Sequence, residues 1–327
     1  MLGLSSLRSQ KRYGVVVDIG SNSVLIGIVG SDPHLAYPDI IWAKREHSPL
    51  TSNPSTKETA RNVLATFLTS LMTLDTEGRS ALRAADPHAV LSSMQVTVAA
   101  PWSYTVTKTI RYEKEDPFKV TSHLIDELLA AAMQKTQTEL KENELTEKLG
   151  LAITARMATN VTANGYELST PVDQMAQTLS LSHSSVITQA YLRDAITNAH
   201  QKVVPGAELS TYSFMLAFYC VIRDLQPHLT DYCLVDVTYE ATEIAIVRDG
   251  VLCYCTHVPY GAYSLAREVA AITGLPLAEA YAHITGPNVS SLREQVSEAT
   301  SRELDEMFRK FEERLSGLLR ETGDELS

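Results

Sequence analysis

Asp18 stands at the end of a β-branched run, Val15-Val16-Val17, and leads directly into Ile19-Gly20-Ser21-Asn22-Ser23. A carboxylate at the end of a buried strand accepts hydrogen bonds only when ionised, which suits ordering of the water shell of a Mg²⁺ ion. Gly20 lets the backbone approach a ligand closely. Ser21, Asn22 and Ser23 add hydroxyls, an amide and backbone N–H groups, a donor set that suits a phosphate. A second apolar run begins at Val24, so the whole reads as a β-hairpin tipped with small residues. The competing reading is an ordinary hairpin whose Asp and Ser only stabilise a turn, and this segment alone does not separate the two.

A second version of the pattern lies far along the chain. Cys233-Leu-Val-Asp236 is again an apolar strand running into an aspartate. A polar turn with Thr238 and Thr242 follows, then an alternating strand, an Asp249-Gly250 turn and a third strand, 251–258. That strand enters Pro259-Tyr260-Gly261-Ala262-Tyr263 and a helix.

The elements that must position these loops follow from periodicity and turn residues. In the first half, a hairpin over 13–30 precedes a strand at 38–48. A helix near 57–75 carries Val63, Phe67, Leu71 and Leu74 at helical spacing. Residues 76–93 read as polar and irregular. Next come strands at 94–100 and 104–112, a helix over 121–143, and strands at 150–163 and 165–169 about Asn164-Gly165, a strong hairpin signal. A strand at 177–183 and a helix at 185–201 complete this part. Beyond it, a short strand at 207–211, a helix at 212–225, helices at 263–273 and 276–285, and a last amphipathic helix at 290–322 are expected. The stripe Leu304, Phe308, Phe311, Leu315 and Leu318 on that helix fits core packing better than a coiled coil, which needs more heptads.

Composition narrows the function. The chain has 327 residues, 44% of them hydrophobic, enough for two domains with separate cores. A formal charge of −11 on a mixed surface argues against non-specific nucleic-acid binding. No apolar run approaches the ~20 residues of a membrane span. Arg8, Lys11 and Arg12 precede no apolar core of a signal peptide, so the expected location is the cytoplasm. The four cysteines form no Cys-x-x-Cys pair and the nine histidines no ligand cluster, so no metal site is assigned to protein side chains alone.

On these residues the chain resembles the actin-like ATPase superfamily, and within it the bacterial FtsA and PilM group over roughly residues 13–320. Four features carry the resemblance: the Asp18–Ser23 hairpin; an inserted unit near 94–185 containing Ala163-Asn-Gly-Tyr-Glu-Leu-Ser-Thr-Pro171; Asp236 with Thr242; and Val258-Pro-Tyr-Gly261-Ala followed by Leu275-Pro-Leu-Ala-Glu279-Ala-Tyr. The resemblance implies an α/β, actin-like (ribonuclease-H-like) two-domain ATPase fold with an inserted α/β subdomain. Its expected parts are 13–93 and 186–230 for the first domain, 94–185 for the insert and 231–327 for the second domain. That second domain would be incomplete, since the group's Gly-Gly adenine loop would follow the final helix.

The resemblance also implies ATP with Mg²⁺ in an interdomain cleft. Asp18, Gly20, Ser21, Asn22, Ser23, Asp236, Thr238, Thr242, Gly261, Ala262 and Glu279 would bind nucleotide, with Asp18 and Asp236 reaching the metal through water. Glu279 matches a ribose-contacting glutamate. The basic partner one turn on is replaced by Ala282 and His283, and Thr238 stands where the group has glycine. A β-branched residue is costly where a positive φ or a close backbone approach is required. The implied role is a cytoplasmic adaptor, at most a weak ATPase, held at the inner membrane face by cytoplasmic segments of membrane-machine proteins, among them short peptides. Self-association, and division against pilus assembly, stay open. Two alternatives accompany this reading. One is an exopolyphosphatase-like phosphohydrolase, which shares the first loop but has a glycine-rich second one. The other is a degenerate scaffold without nucleotide. A sugar kinase would need a general base facing a sugar pocket, and nothing in 200–232 marks Asp224 as one.

Overall fold

The computed structural model describes residues 11–35, 37–52, 55–142, 150–167, 170–286 and 296–324. Residues 1–10, with Arg8, positions 168 and 169 of the expected strand 165–169, and positions 290–295 of the expected last helix lie outside them.

The first sheet has the order β3-β2-β1-β4-β9. Strands β1 (Arg12–Ile19), β2 (Ser23–Ser31) and β3 (Asp39–His47) form an antiparallel meander; β4 (Leu91–Val98) and β9 (Glu208–Ser213) extend it in parallel. Alternation decides the faces. Val15, Val17 and Ile19 of β1, Val24, Ile26 and Ile28 of β2, and Met94, Val96 and Val98 of β4 enter one core. Helices α1 (Thr56–Thr73) and α4 (Ala190–Val203) cover it with Val63, Phe67 and Leu71, and with Leu192 and Ile196. The Ser55 hydroxyl accepts the Glu58 N–H at 3.2 Å and caps α1.

A second sheet holds β5 (Ser103–Lys119), β8 (Met175–Gln189), β6 (Leu151–Ala163) and the short β7 (Tyr166–Glu167) in that order, with α3 (Ser122–Glu142) packed on it. Asn164 and Gly165, at φ 53° and 82°, make the tight turn read from the sequence. The third sheet is the meander β10 (Tyr232–Val237), β11 (Thr242–Arg248) and β12 (Val251–Val258), turning at Asp249 and Gly250, φ 49° and 74°. Helix α5 (Phe214–Leu225) packs on it through Met215, Leu216 and Tyr219. Helices α6 (Ala262–Thr273), α7 (Leu277–Thr285) and α8 (Glu298–Asp324) share another core, which includes Val269, Ala280 and Leu304.

Three expectations are corrected. Strand 94–100 does not open the insert: β4 pairs with β1 and β9 in the first sheet, a parallel contact that no local pattern reveals. Both expected insert boundaries, 94 and 185, therefore fall inside strands. The stretch 76–93 is not irregular. A π turn at Leu74–Gly78 leads into α2 (Arg79–Ala85), anchored by buried Leu74 and Leu82. Gly78 lies against the Trp42 ring, where a Cβ would come within 3.0 Å. Finally, the helix expected from 185 begins at Ala190, because Val186, Ile187 and Thr188 continue β8 between β5 and β6.

Candidate functional site

Asp18, at the top of β1, and Asp236, at the top of β10, face one cleft of about 350 Å³. That lies near the lower end of the range for small-molecule sites, roughly 300–1,000 Å³. Gly20, Ser21, Ser23 and Arg45 line it from the first domain; Thr238, Tyr239, Ala262, Tyr281 and Thr285 line it from the second.

The charges in the cleft are unequal. The Thr97 hydroxyl donates to Asp18 Oδ1 at 2.9 Å, and Arg45 Nη2 stands 3.9 Å from Oδ2. Burial raises the Asp18 pKa, with the Thr97 bond and Arg45 pulling against it. Asp236 is pushed up to about 6, chiefly by burial and then by the charge on Asp18, while Arg45 lowers it. Directly opposite Asp236 in the β10–β11 register is Glu243, 3% exposed. It accepts the Ala100 N–H at 3.1 Å across the domain boundary. Burial, with a smaller contribution from Asp236, pushes it up to about 8. One guanidinium thus faces two cleft carboxylates, leaving an excess of negative charge that a cation would relieve. Among the described residues no group of three or more His, Cys, Asp or Glu forms a metal cage.

The first hairpin is tied down on several sides. Gly20 N–H donates to Ser23 O at 2.8 Å, and the Trp102 ring N–H donates to Gly20 O at 3.1 Å. Arg45 donates to Ser23 Oγ at 3.0 Å and the Glu240 N–H to Ser21 Oγ at 3.0 Å. Both serine oxygens serve as acceptors in these bonds.

The second loop differs. The backbone N–H of Thr238 donates to Ala241 O at 2.9 Å, and its hydroxyl donates to the same carbonyl at 2.7 Å. Thr238 is not among the positive-φ residues, so the β-branched side chain carries no such strain. Close approach is required instead at Gly261, where a Cβ would lie 2.4 Å from Thr238 O and 2.7 Å from Tyr239 O. The N–H groups of Ala262 and Tyr263 donate to Thr238 O and Tyr239 O, both within 2.9 Å, so the first turn of α6 spends these donors on the loop.

Of the residues singled out in the sequence, Asp18, Gly20, Ser21, Ser23, Asp236, Thr238 and Ala262 line the cleft. Asn22 is buried beneath it, where its carbonyl accepts the Ser48 N–H. Thr242 is buried and donates to Tyr260 O at 2.7 Å. Gly261 supports the loop from behind. Glu279 is exposed on α7 and does not reach the cleft; Tyr281, two residues on, does. Arg45, Tyr239 and Tyr281 were missed. Arg45 was within reach of the sequence, since β3 runs back toward the hairpin tip and pairs Arg45 with Leu25. The tyrosines carry no local signal.

No protein-family model and no curated protein sequence matches this chain. Solved structures do resemble it. The PilM–PilN type IV pilus biogenesis complex aligns with 95% of this chain and 78% of that one, with a TM-score of 0.51 and 11% identity. The ethanolamine utilization protein EutJ from Carboxydothermus hydrogenoformans covers 94% and 70% at TM-score 0.39 and 13% identity. A Bacteroides thetaiotaomicron protein of actin-like ATPase fold and unknown function covers 79% and 74% at TM-score 0.39 and 9% identity. The chain has the actin-like ATPase fold, and at such identities the likeness extends to the fold alone. Among the described residues no helix is long and apolar enough to cross a membrane.

Proposed function

We propose that this protein is a PilM-like adaptor whose interdomain cleft takes ATP with Mg²⁺ as a conformational clamp, and which recruits cytoplasmic segments of membrane-machine proteins. The observation that carries the reading is the convergence of Asp18 and Asp236, from two sheets, on one cleft beside the Gly20–Ser23 hairpin. The donor set fits a hydrated cation: two carboxylates with excess negative charge call for Mg²⁺ held through its water shell. When bound, the ion would neutralise phosphate charge. Ser21 and Ser23 would donate to phosphate oxygens, and Arg45 would pair with one of them. The sheet of β5, β6, β7 and β8, close to the 94–185 unit, would present partner-binding edges, the mode by which an extended peptide adds a strand. Recruitment of a membrane machine would place the protein at the inner membrane face.

One observation favours a second reading, a scaffold that closes without nucleotide. Ser21 is fully buried, and its hydroxyl already accepts the Glu240 N–H. Calorimetric titration with Mg-ATP separates the two. The clamp reading expects saturable binding that Asp18→Ala weakens far more than Asp224→Ala, a substitution on the surface of α5. Absence of binding by the wild type leaves the nucleotide-free scaffold, and equal affinity in both variants removes Asp18 from the binding site.

A further inference from the structure

The cleft is lined by two chemically distinct kinds of side chain. Its charged side chains are Asp18, Arg45 and Asp236, and Tyr239, Tyr281 and Thr285 line it as well. Glu279, on the same helix as Tyr281, is exposed and does not line the cleft. Tyr281 and Thr285 are four residues apart on α7 and therefore share a face.

The tyrosine rings are held in place. Tyr281 stands edge-on to Tyr263, centroids 4.9 Å apart at 80°, and is tilted toward Tyr239 at 6.2 Å. Tyr239 packs on Tyr263 at 4.7 Å, and its hydroxyl is 3.1 Å from His47 Nδ1. A ring fixed by neighbours and still open to a cleft is a stacking surface that loses little entropy on binding. The Thr285 hydroxyl donates to Tyr281 O at 3.0 Å, which leaves its oxygen as an acceptor.

We propose that Tyr281 is the nucleoside-binding residue of this cleft, a platform on which the base of a nucleoside diphosphate or triphosphate stacks, with Thr285 accepting from the base or sugar. The proposal rests on the nucleotide reading given above. It replaces ionic recognition of the nucleoside by an aromatic face. Because every base has such a face, the platform holds adenine and guanine alike.

The test is calorimetry on the full chain with ADP, GDP and inorganic pyrophosphate, each with Mg²⁺, for the wild type, Tyr281→Phe and Tyr281→Ala. The expected wild-type result is similar affinity for ADP and GDP, both tighter than pyrophosphate. Tyr281→Phe should retain this order. Tyr281→Ala should lose roughly tenfold or more for both nucleotides, the usual effect of removing one stacked ring, with pyrophosphate unchanged. Thermal unfolding checks the fold, and Tyr281→Leu serves the same comparison if the alanine variant does not fold. Equal wild-type affinities for ADP and pyrophosphate overturn the platform and leave the phosphate site standing. Parallel loss of all three ligands in Tyr281→Ala assigns the residue a structural role and also overturns it. Failure of the wild type to bind any of the three overturns both this inference and the nucleotide reading.

Discussion

The hairpin at Asp18 turns through Gly20-Ser21-Asn22-Ser23, whereas the one at Asp236 turns through Thr238-Tyr239-Glu240-Ala241 without a glycine. The first uses the Ser21 and Ser23 hydroxyl oxygens as acceptors. The second spends its groups on the protein: Thr238 closes its own turn, Glu240 pairs with Arg267, and the loop carbonyls cap α6. Two loops with the same strand geometry and the same leading aspartate thus divide the work. One lends small residues to the cleft wall, and the other is seated on it through the Glu240–Ser21 bond. The close backbone approach falls on Gly261, which packs against the second loop.

The largest effect should come from Gly261→Ala. Its Cβ would meet backbone on two sides, and backbone cannot rotate away, so a loss of about 3 kcal/mol in urea unfolding is expected. Gly20→Ala, whose Cβ would lie 3.3 Å from Ser23 O, should cost about 1 kcal/mol. Equal costs would mean that the two loops carry the same constraint. Next is Arg267→Ala. It strips Glu240 of a partner in a pair whose side chains are 21% and 13% exposed, and should cost about 2 kcal/mol, below the range for fully buried pairs. A negligible change would show that the second loop is held by its backbone alone.

Glu243 supplies a pH signature of the second hairpin. Its folded pKa, about 8, lies above its ordinary 4.5, so the folded state holds a proton that the unfolded chain releases. This contribution to stability is complete below about pH 4.5 and is lost as pH rises toward 8. Glu243→Gln keeps an oxygen for the Ala100 N–H and cannot ionise. Its melting temperature should match the wild type near pH 5 and exceed it at pH 8. Parallel Tm–pH curves would remove Glu243 as the titrating group. The smallest effect is expected from Ser21→Ala, which leaves the Glu240 N–H without its acceptor and should cost about 1 kcal/mol. A gain in stability would mean that this N–H finds another partner.

Local features were legible in the sequence. Both hairpins, the Asn164-Gly165 and Asp249-Gly250 turns and the amphipathic helices follow from side-chain period and turn chemistry, and the structure has them. What stayed hidden depends on distance in sequence. Strand β4 could not be assigned to its sheet, because parallel pairing with β1 leaves no mark on either strand alone. The end of β8 was read as helix because a β-branched trio between two partners carries no cue to those partners. Within the cleft, the aspartates and serines stood in a readable motif. Arg45, Tyr239 and Tyr281 come from three separate elements and meet only through the fold. Glu279 was named through the resemblance, and it is exposed on α7.

Trp102 is one of two tryptophans, is 1% exposed, and gives its ring N–H to the Gly20 carbonyl. Its own carbonyl accepts the Gln189 N–H at the end of β8. The indole therefore sits where the first hairpin, the first domain and the long strand of the insert meet. It is a built-in optical probe: with Trp42→Phe as background, its emission wavelength and quenching would report hairpin rearrangement without any label. A ligand entering the cleft and a peptide pulling on the insert sheet could then be read from one fluorophore and told apart by the order of addition.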